Sequence, residues 1–438
     1  MSSLGSGIYM TGQHFGSTHS RTTTSKPSLE FSLNEYLEDY KGYAKIRRAI
    51  FIGECCPELS AESYTIALQE LEAHTLDTTT YTHVSKTLAQ LTGQPAALDW
   101  IKQANKESKE LDSEIKADLE RAKKQVSKRD SLKAQRSLVQ LLQRRGLMDE
   151  SIRALQDGRS FCLDVSDQAQ LHMEAARVSQ LMCRWLQVAT FVQRTESVAQ
   201  KPSESLLAEM AVMKVQADFG DGKWSAAVAG LKQLSMESMK AVANGIVLPR
   251  DIALYGTLAG LASLQRDQIK HALLDNALFG QFLDSMPECL TLLQSFHGAK
   301  YTDVLACLDK IMSLCRLDPV ISPHVATLEQ KIRDNIVVLY IQPFMSIRLS
   351  SMAEALCFES AEKLEAVLVQ MIDSRLIQAR IDGTTGFLIK HAEEPRDQAL
   401  RNIEKMHKEF SLQTELMTAR IRYLEEESSR LGRVAIRR

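Results

Sequence analysis

The sequence predicts an all-α protein: a solenoid of helix–turn–helix repeats, then a small module of helices and a β-hairpin, then one long terminal helix. Three observations predict it. Helix formers (Leu, Ala, Gln, Glu, Lys, Arg) dominate, aromatics are only 6%, and alternating Val/Ile/Thr runs are scarce. A large apolar residue just after a turn recurs at a near-constant interval. Late in the chain the helical period gives way once, to two short runs around a Gly-containing turn.

A chain of 438 residues is too long for one core, so two or three units or one extended solenoid are expected. A net charge of -2 lacks the basic excess of a general nucleic-acid binder. No run of eighteen apolar residues exists that could span a membrane. Residues 1–29 hold no acidic residue, are rich in Gly, Ser and Thr, and lack an apolar signal core. They read as a disordered tail.

Helical spacing starts with Leu33, Tyr36, Leu37 and Tyr40. Gly42 interrupts it, Ile46, Ile50 and Phe51 carry a second helix, and Pro57 ends that one. Ile66, Leu68 and Leu71 mark a third. Thr78, Thr79 and Thr80, and Gly93 with Pro95, read as turns. Residues 102–145 read as one long amphipathic helix, with Leu111, Ile115 and Leu119 four apart. Its cations, from Lys116 to Arg136, interleave with Glu107, Glu110, Asp112, Glu114, Asp118, Glu120 and Asp130. That pattern reads as a solvated face rather than a nucleic-acid patch.

The repeat decides the architecture. Met148, Trp185, Trp224, Leu264 and Tyr301 each follow a turn and precede a helix, at separations of 37, 39, 40 and 37 residues. A period near 38 suits tetratricopeptide-like or HEAT-like helix pairs, each burying its apolar face only when the next pair stacks on it. The fourth copy, around Leu264, is the weakest. Within 253–264 the small residues Ala253, Gly256, Ala259, Gly260 and Ala262 predict close helix approach. No Lys-Ser/Thr follows the glycines, so they are no phosphate loop.

After Pro343, a short helix near Met352 precedes one capped by Ser360, with Leu364, Val367, Leu368, Met371 and Ile372 inward. Strands are predicted over 376–381 and 387–389, around the turn at 382–386. Helix, helix, strand, turn, strand is the winged-helix order. The candidate contact residues there are Leu376, Ile377, Ala379, Ile381, Phe387, Leu388 and Ile389, because an exposed strand edge invites pairing with another sheet. The second helix carries Glu362, Glu365 and Asp373 against Lys363, which opposes docking on DNA. Pro395 opens the terminal helix. There Ile403, Met406, Phe410, Met417, Ile421 and Leu424 advance by 3, 4, 7, 4 and 3, a seam for its own chain or for a bundle with other chains.

No constellation for catalysis is present in the sequence. H-E-x-x-H, G-x-S-x-G and H-x-H are all missing, and none of the eight cysteines stands in a C-x-x-C pair. Cys289, His297, Cys307 and Cys315 match no zinc spacing, and His172, His271 and His407 stand alone. No catalytic, cofactor-binding or metal residue is assigned and no cofactor is expected. Free cysteines without an export signal point to a reducing compartment.

The order of elements resembles the PCI family, and three stretches sharpen the resemblance toward its signalosome members. These are Tyr36-Leu37-Glu38-Asp39-Tyr40-Lys41-Gly42 with Ile46-Arg47-Arg48, then Phe51-Ile52-Gly53-Glu54-Cys55-Cys56-Pro57, and Ile252-Ala253-Leu254-Tyr255-Gly256. Lys300-Tyr301-Thr302-Asp303-Val304-Leu305 and Ser322-Pro323-His324-Val325 are similar as well. The resemblance implies helical repeats over 30–245, the helical part of a PCI domain over 246–343, its winged helix over 344–392 and a bundle helix with a tail over 393–438. It also implies a non-catalytic scaffold in cytoplasm and nucleus, touching other PCI subunits through winged-helix and terminal-helix contacts. The deneddylase subunit and cullin–RING ubiquitin ligases would be reached indirectly. A PCI scaffold of the proteasome lid or of a translation initiation complex is the competing implication.

Overall fold

A computed structural model describes residues 32–93, 99–199, 202–232, 234–242, 245–358, 360–390 and 395–435. The tail expected over 1–29, and Pro95, lie outside them. The chain divides into two compact units, between Val337 and Val338.

The first unit is helical throughout its described residues. It opens with α1 (Leu33–Glu38), α2 (Tyr43–Cys55), α3 (Ser60–His74) and α4 (Thr78–Thr92). The threonines expected in a turn are instead the first turn of α4. Asp77 caps it, its carboxylate accepting from the backbone N–H groups and the hydroxyls of both Thr79 and Thr80. One cap thus recruits a Thr run that favours turns when uncapped.

The charged stretch expected as one helix is a hairpin of two, α5 (Asp99–Lys124) and α6 (Lys128–Arg144). The break falls at Val126, which takes φ +53° with no Gly or Pro nearby to signal it. Ser127 caps α6, its Oγ accepting from the Asp130 N–H.

The repeat then runs through α7 (Met148–Gly158), α8 (Val165–Leu181), α9 (Trp185–Val198), α10 (Glu204–Gly220) and α11 (Trp224–Leu231). It continues past α12 (Met236–Val242) into α13 (Pro249–Ser263), α14 (Arg266–Ile269), α15 (Ala277–Leu283), α16 (Pro287–His297) and α17 (Tyr301–Cys315). Met148, Trp185, Trp224 and Tyr301 are each the first residue of a helix, two residues after a left-handed one: Gly146, Cys183, Gly222 and Ala299. That geometry reverses the chain in three residues. The Leu264 copy lacks it; there the chain passes from α13 to the short α14 and a π-helical turn, Lys270–Leu274. The small residues of α13 have the packing reason expected of them. A Cβ on Gly256 would come within 2.5 Å of the Phe279 ring, and one on Gly260 within 2.5 Å of Leu273. The first unit also holds most of α18 (Val325–Ile341).

The second unit contains β1 (Ser346–Arg348), α19 (Leu349–Ala355), α20 (Ala361–Asp373), β2 (Ala379–Asp382), β3 (Phe387–Lys390) and α21 (Pro395–Ala435). Its sheet is antiparallel, in the order β1-β3-β2. Leu388 pairs with Ile347 on one side and Ile381 on the other. The three-residue β1 is too short to show a period in sequence. The first strand expected, 376–381, starts later than that: the N–H groups of Leu376 and Ile377 still bond to the Met371 carbonyl at the end of α20.

Candidate interaction surfaces

Along α2, side-chain donors meet the ends of distant helices. The last carbonyls of a helix have no partner inside it, and the helix dipole makes that end negative. Tyr43 Oη donates to the Arg144 carbonyl closing α6, at 3.3 Å, and Arg47 Nη2 to the Met182 carbonyl following α8, at 3.3 Å. Further along the same unit, His324 Nε2 meets the Gly220 carbonyl ending α10 at 2.9 Å, Asn335 Nδ2 donates to Leu261 near the end of α13 at 2.9 Å, and Arg266 donates to His297 ending α16. Each helix that precedes a repeat turn therefore has a carbonyl near its end bonded from another element.

Arg48, 3% exposed, lies one residue beyond Arg47 in a buried charge cluster. Its guanidinium reaches Asp318 Oδ2 at 2.7 Å and Asp251 Oδ2 at 3.4 Å, and it lies 4.1 Å from the Tyr40 ring centroid. Tyr40 donates to Asp251 Oδ1 at 2.6 Å. Arg250 lies over the rings of Tyr36 and Tyr40, at 4.5 and 5.0 Å, and donates to the Tyr36 carbonyl. One arginine thus faces two aspartates, with a second stacked on the tyrosines beside them, and this pairing lets charges stay in an apolar interior. Burial still pushes the Asp251 carboxyl above its ordinary range, against the pull of Arg48, and it raises the hydroxyls of Tyr36 and Tyr40. Tyr36, Tyr40 and Arg48 of this cluster belong to the stretches over 36–42 and 46–48 that carry the family resemblance. Their role is architectural. Asp318 joins it from a loop that pattern reading had no reason to single out.

The sheet of the second unit sets apart the residues expected to make contacts. Ala379, Ile381 and Leu388 share one face with Ile347, and Ala379, Leu388 and Ile347 are buried. Ile377, just before β2, is buried too. Phe387 and Ile389 lie on the opposite face with Arg348 and Arg380, the Arg348 guanidinium 5.5 Å from the Phe387 ring. Leu376 and Ile389 are exposed. Since β3 is paired on both sides, its backbone offers no free edge. Only β1 and β2 have one, so Phe387 and Ile389 could meet a partner through side chains alone, and the buried Leu388 belongs to the unit's own core.

Every described side chain of α21 is exposed. The expected seam of Ile403, Met406, Phe410, Met417, Ile421 and Leu424 is wholly uncovered, from 54% at Leu424 to 70% at Phe410. The alternative in which it packs on its own chain does not occur among the described residues. At 3.6 residues per turn, Leu412, Leu416 and Tyr423 form a second apolar line about a third of a turn from the first, also exposed. The first line alone satisfies the heptad, so the second gives no separate signal in the sequence. A helix with two apolar lines can seat two neighbours at once.

Among the described residues no group of three His, Cys, Asp or Glu is placed to hold a metal ion, and no helix is long and apolar enough to cross a membrane. The arrangement offers contact surfaces: two strand edges, a mixed sheet face and a bare helix.

Helical repeats leading into a winged helix and a terminal helix are the order of elements in PCI-domain proteins, and residues 311–391 match the PCI domain family. Residues 98–272 match the family described as 26S proteasome subunit RPN7. Over most of its length the chain is similar to COP9 signalosome subunit 1 proteins. It is 24% identical to COP9 signalosome complex subunit 1 of Arabidopsis thaliana over 93% of each chain. It is 25% identical to the Caenorhabditis elegans protein of that name, over 80% of this chain and 67% of the relative, and 22% identical to the Schizosaccharomyces pombe one over 90% of each.

Proposed function

We propose that this chain is a non-catalytic scaffold subunit of the COP9 signalosome, supporting cullin deneddylation and so the regulation of cullin–RING ubiquitin ligases in cytoplasm and nucleus. The observation that carries the reading is α21, a 41-residue helix with apolar lines that nothing in the described chain covers. Exposed apolar surface on this scale marks an interaction site. The similarity to signalosome subunit 1 proteins over nearly the whole chain supports the signalosome as the assembly that would cover it. In this reading α21 enters a bundle with helices of other PCI subunits, and an edge of the winged-helix sheet meets a neighbour's.

The test is a tagged pull-down of the full chain with mass spectrometry, followed by a cullin-deneddylation assay on the recovered complex. Recovery of signalosome subunits, with activity in the complex and none in the purified chain, is expected. The match to the proteasome-subunit family over 98–272 favours a second reading, a lid scaffold, and a lid subunit set in the same pull-down would replace the first with it. Translation initiation factors would point to the third PCI assembly.

A further inference from the structure

Features that work against the fold meet at one exposed place, the hairpin tip between α5 and α6. Lys128 and Arg129 are the first two residues of α6, where the positive end of the helix dipole disfavours cations. Val126 holds φ +53°, a left-handed backbone that a β-branched residue rarely adopts, and its side chain is 85% exposed. Lys123, Lys124 and Lys133 add three more exposed cations. Arg121 and Arg136 nearby are paired, with Asp118 and Glu174. The five exposed cations form no ion pair among the described residues. The nearest acid, Asp130, is engaged by the Ser127 hydroxyl at 2.5 Å. Lys123 Nζ lies 5.9 Å from the Phe161 ring. The turn fixes the left-handed φ here as it does at Gly146, Cys183, Gly222 and Ala299, but it does not call for a β-branched residue or for two cations opening α6, and local choices against stability with no packing reason point to a function.

We propose that this tip docks an acidic segment of a partner protein, with an apolar residue among its carboxylates to meet Val126. Five cations around an exposed aliphatic side chain complement such a segment in both charge and contact. Two observations favour it over a nucleic acid. The flank of α5 leading to the tip exposes Glu107, Glu110, Glu114, Asp118 and Glu120, which would repel a polyanion long enough to run along the helix. The tip itself, 121–133, contains no aromatic residue on which a base could stack.

The test uses the full chain and a short fluorescein-labelled peptide of Asp, Glu and Leu, read by anisotropy. A peptide with Asn and Gln replacing the acids is the control. The acidic peptide should bind, and progressively less as salt is raised, while the control does not. Lys124→Glu with Lys128→Glu should weaken binding about tenfold with little net change in melting temperature, since a glutamate suits the start of α6 as much as it opposes the end of α5. Val126→Gly should raise the melting temperature and weaken peptide binding by a smaller factor. Three outcomes would overturn the proposal: no binding of the acidic peptide at low salt, unchanged affinity in the double variant, or a single-stranded RNA that binds more tightly than the peptide and is lost in that variant.

Discussion

Arg48 Nη1 lies 2.7 Å from Asp318 Oδ2, a contact that spans 270 residues of sequence, while Nη2 of the same guanidinium faces Asp251. Removing the arginine would leave two carboxylates buried without it. Arg48→Met should therefore cost about 3–5 kcal/mol. Arg48→Lys should recover only part of that, because a single ammonium cannot reproduce the guanidinium's two-sided reach. Thermal melts of both variants check this, and a Met variant that melts with the natural chain would show the cluster to be dispensable.

The wing turn should respond to pH through Asp382. The Asp382 carboxylate accepts from the hydroxyls of Thr384 and Thr385 and from the Thr384 N–H, and these bonds push its pKa down to about 2 from 3.8. A carboxyl depressed on folding stabilises the turn above its unfolded value, and that contribution disappears as pH falls through about 2. The Thr384 amide resonance should titrate near the lower value, and Asp382→Asn should abolish the step. Titration near 3.8 would mean the bonds do not persist in solution.

The repeat turns predict opposite effects for two small substitutions. Ala299 is exposed at φ +56°, so Ala299→Gly should stabilise the chain by about 0.5–1 kcal/mol. Gly256→Ala pushes a methyl against the Phe279 ring and should destabilise it by about 1–3 kcal/mol. Denaturant melts measure both, and the prediction fails if the two shifts share a sign.

The bare helix predicts that stability and assembly come apart. Phe410→Glu with Met417→Glu should leave the chain's own stability within about 0.5 kcal/mol, since both side chains are already exposed. Incorporation into the complex should be lost. Leu412→Glu with Leu416→Glu tests the second line separately. Truncation before Asp397 should match the first variant in both respects, and a truncated chain that unfolds would place the helix in its own core.

Much of this was legible in sequence because it is local. The large residues Met148, Trp185, Trp224 and Tyr301 mark helix starts, and Ser360 marks a cap, because each acts on its own few neighbours. What escaped was non-local or uncoded. Val126 breaks a helix with no Gly or Pro to announce it. The strand β1 is too short to show a period, so β3 read as an edge when it is the centre of the sheet. Asp318 carries no motif, and its role depends on a guanidinium from the other end of the unit.

In a stacked repeat each helix pair needs only its neighbours, and such a chain can fold progressively as it leaves the ribosome. The helix α2 does not follow that schedule. Its donors reach carbonyls at 144 and 182 and carboxylates at 251 and 318, so the last of its partners is synthesised 270 residues after Arg48. At about 5–20 residues per second that is a wait of roughly 14–54 seconds. Through that interval α2 can already pack Ile46 on Leu71 and Tyr81, and Ile52 on Tyr64 and Ala67, while Arg48 waits for both of its carboxylates. The first helices made are seated early by their apolar faces and locked late by their charge.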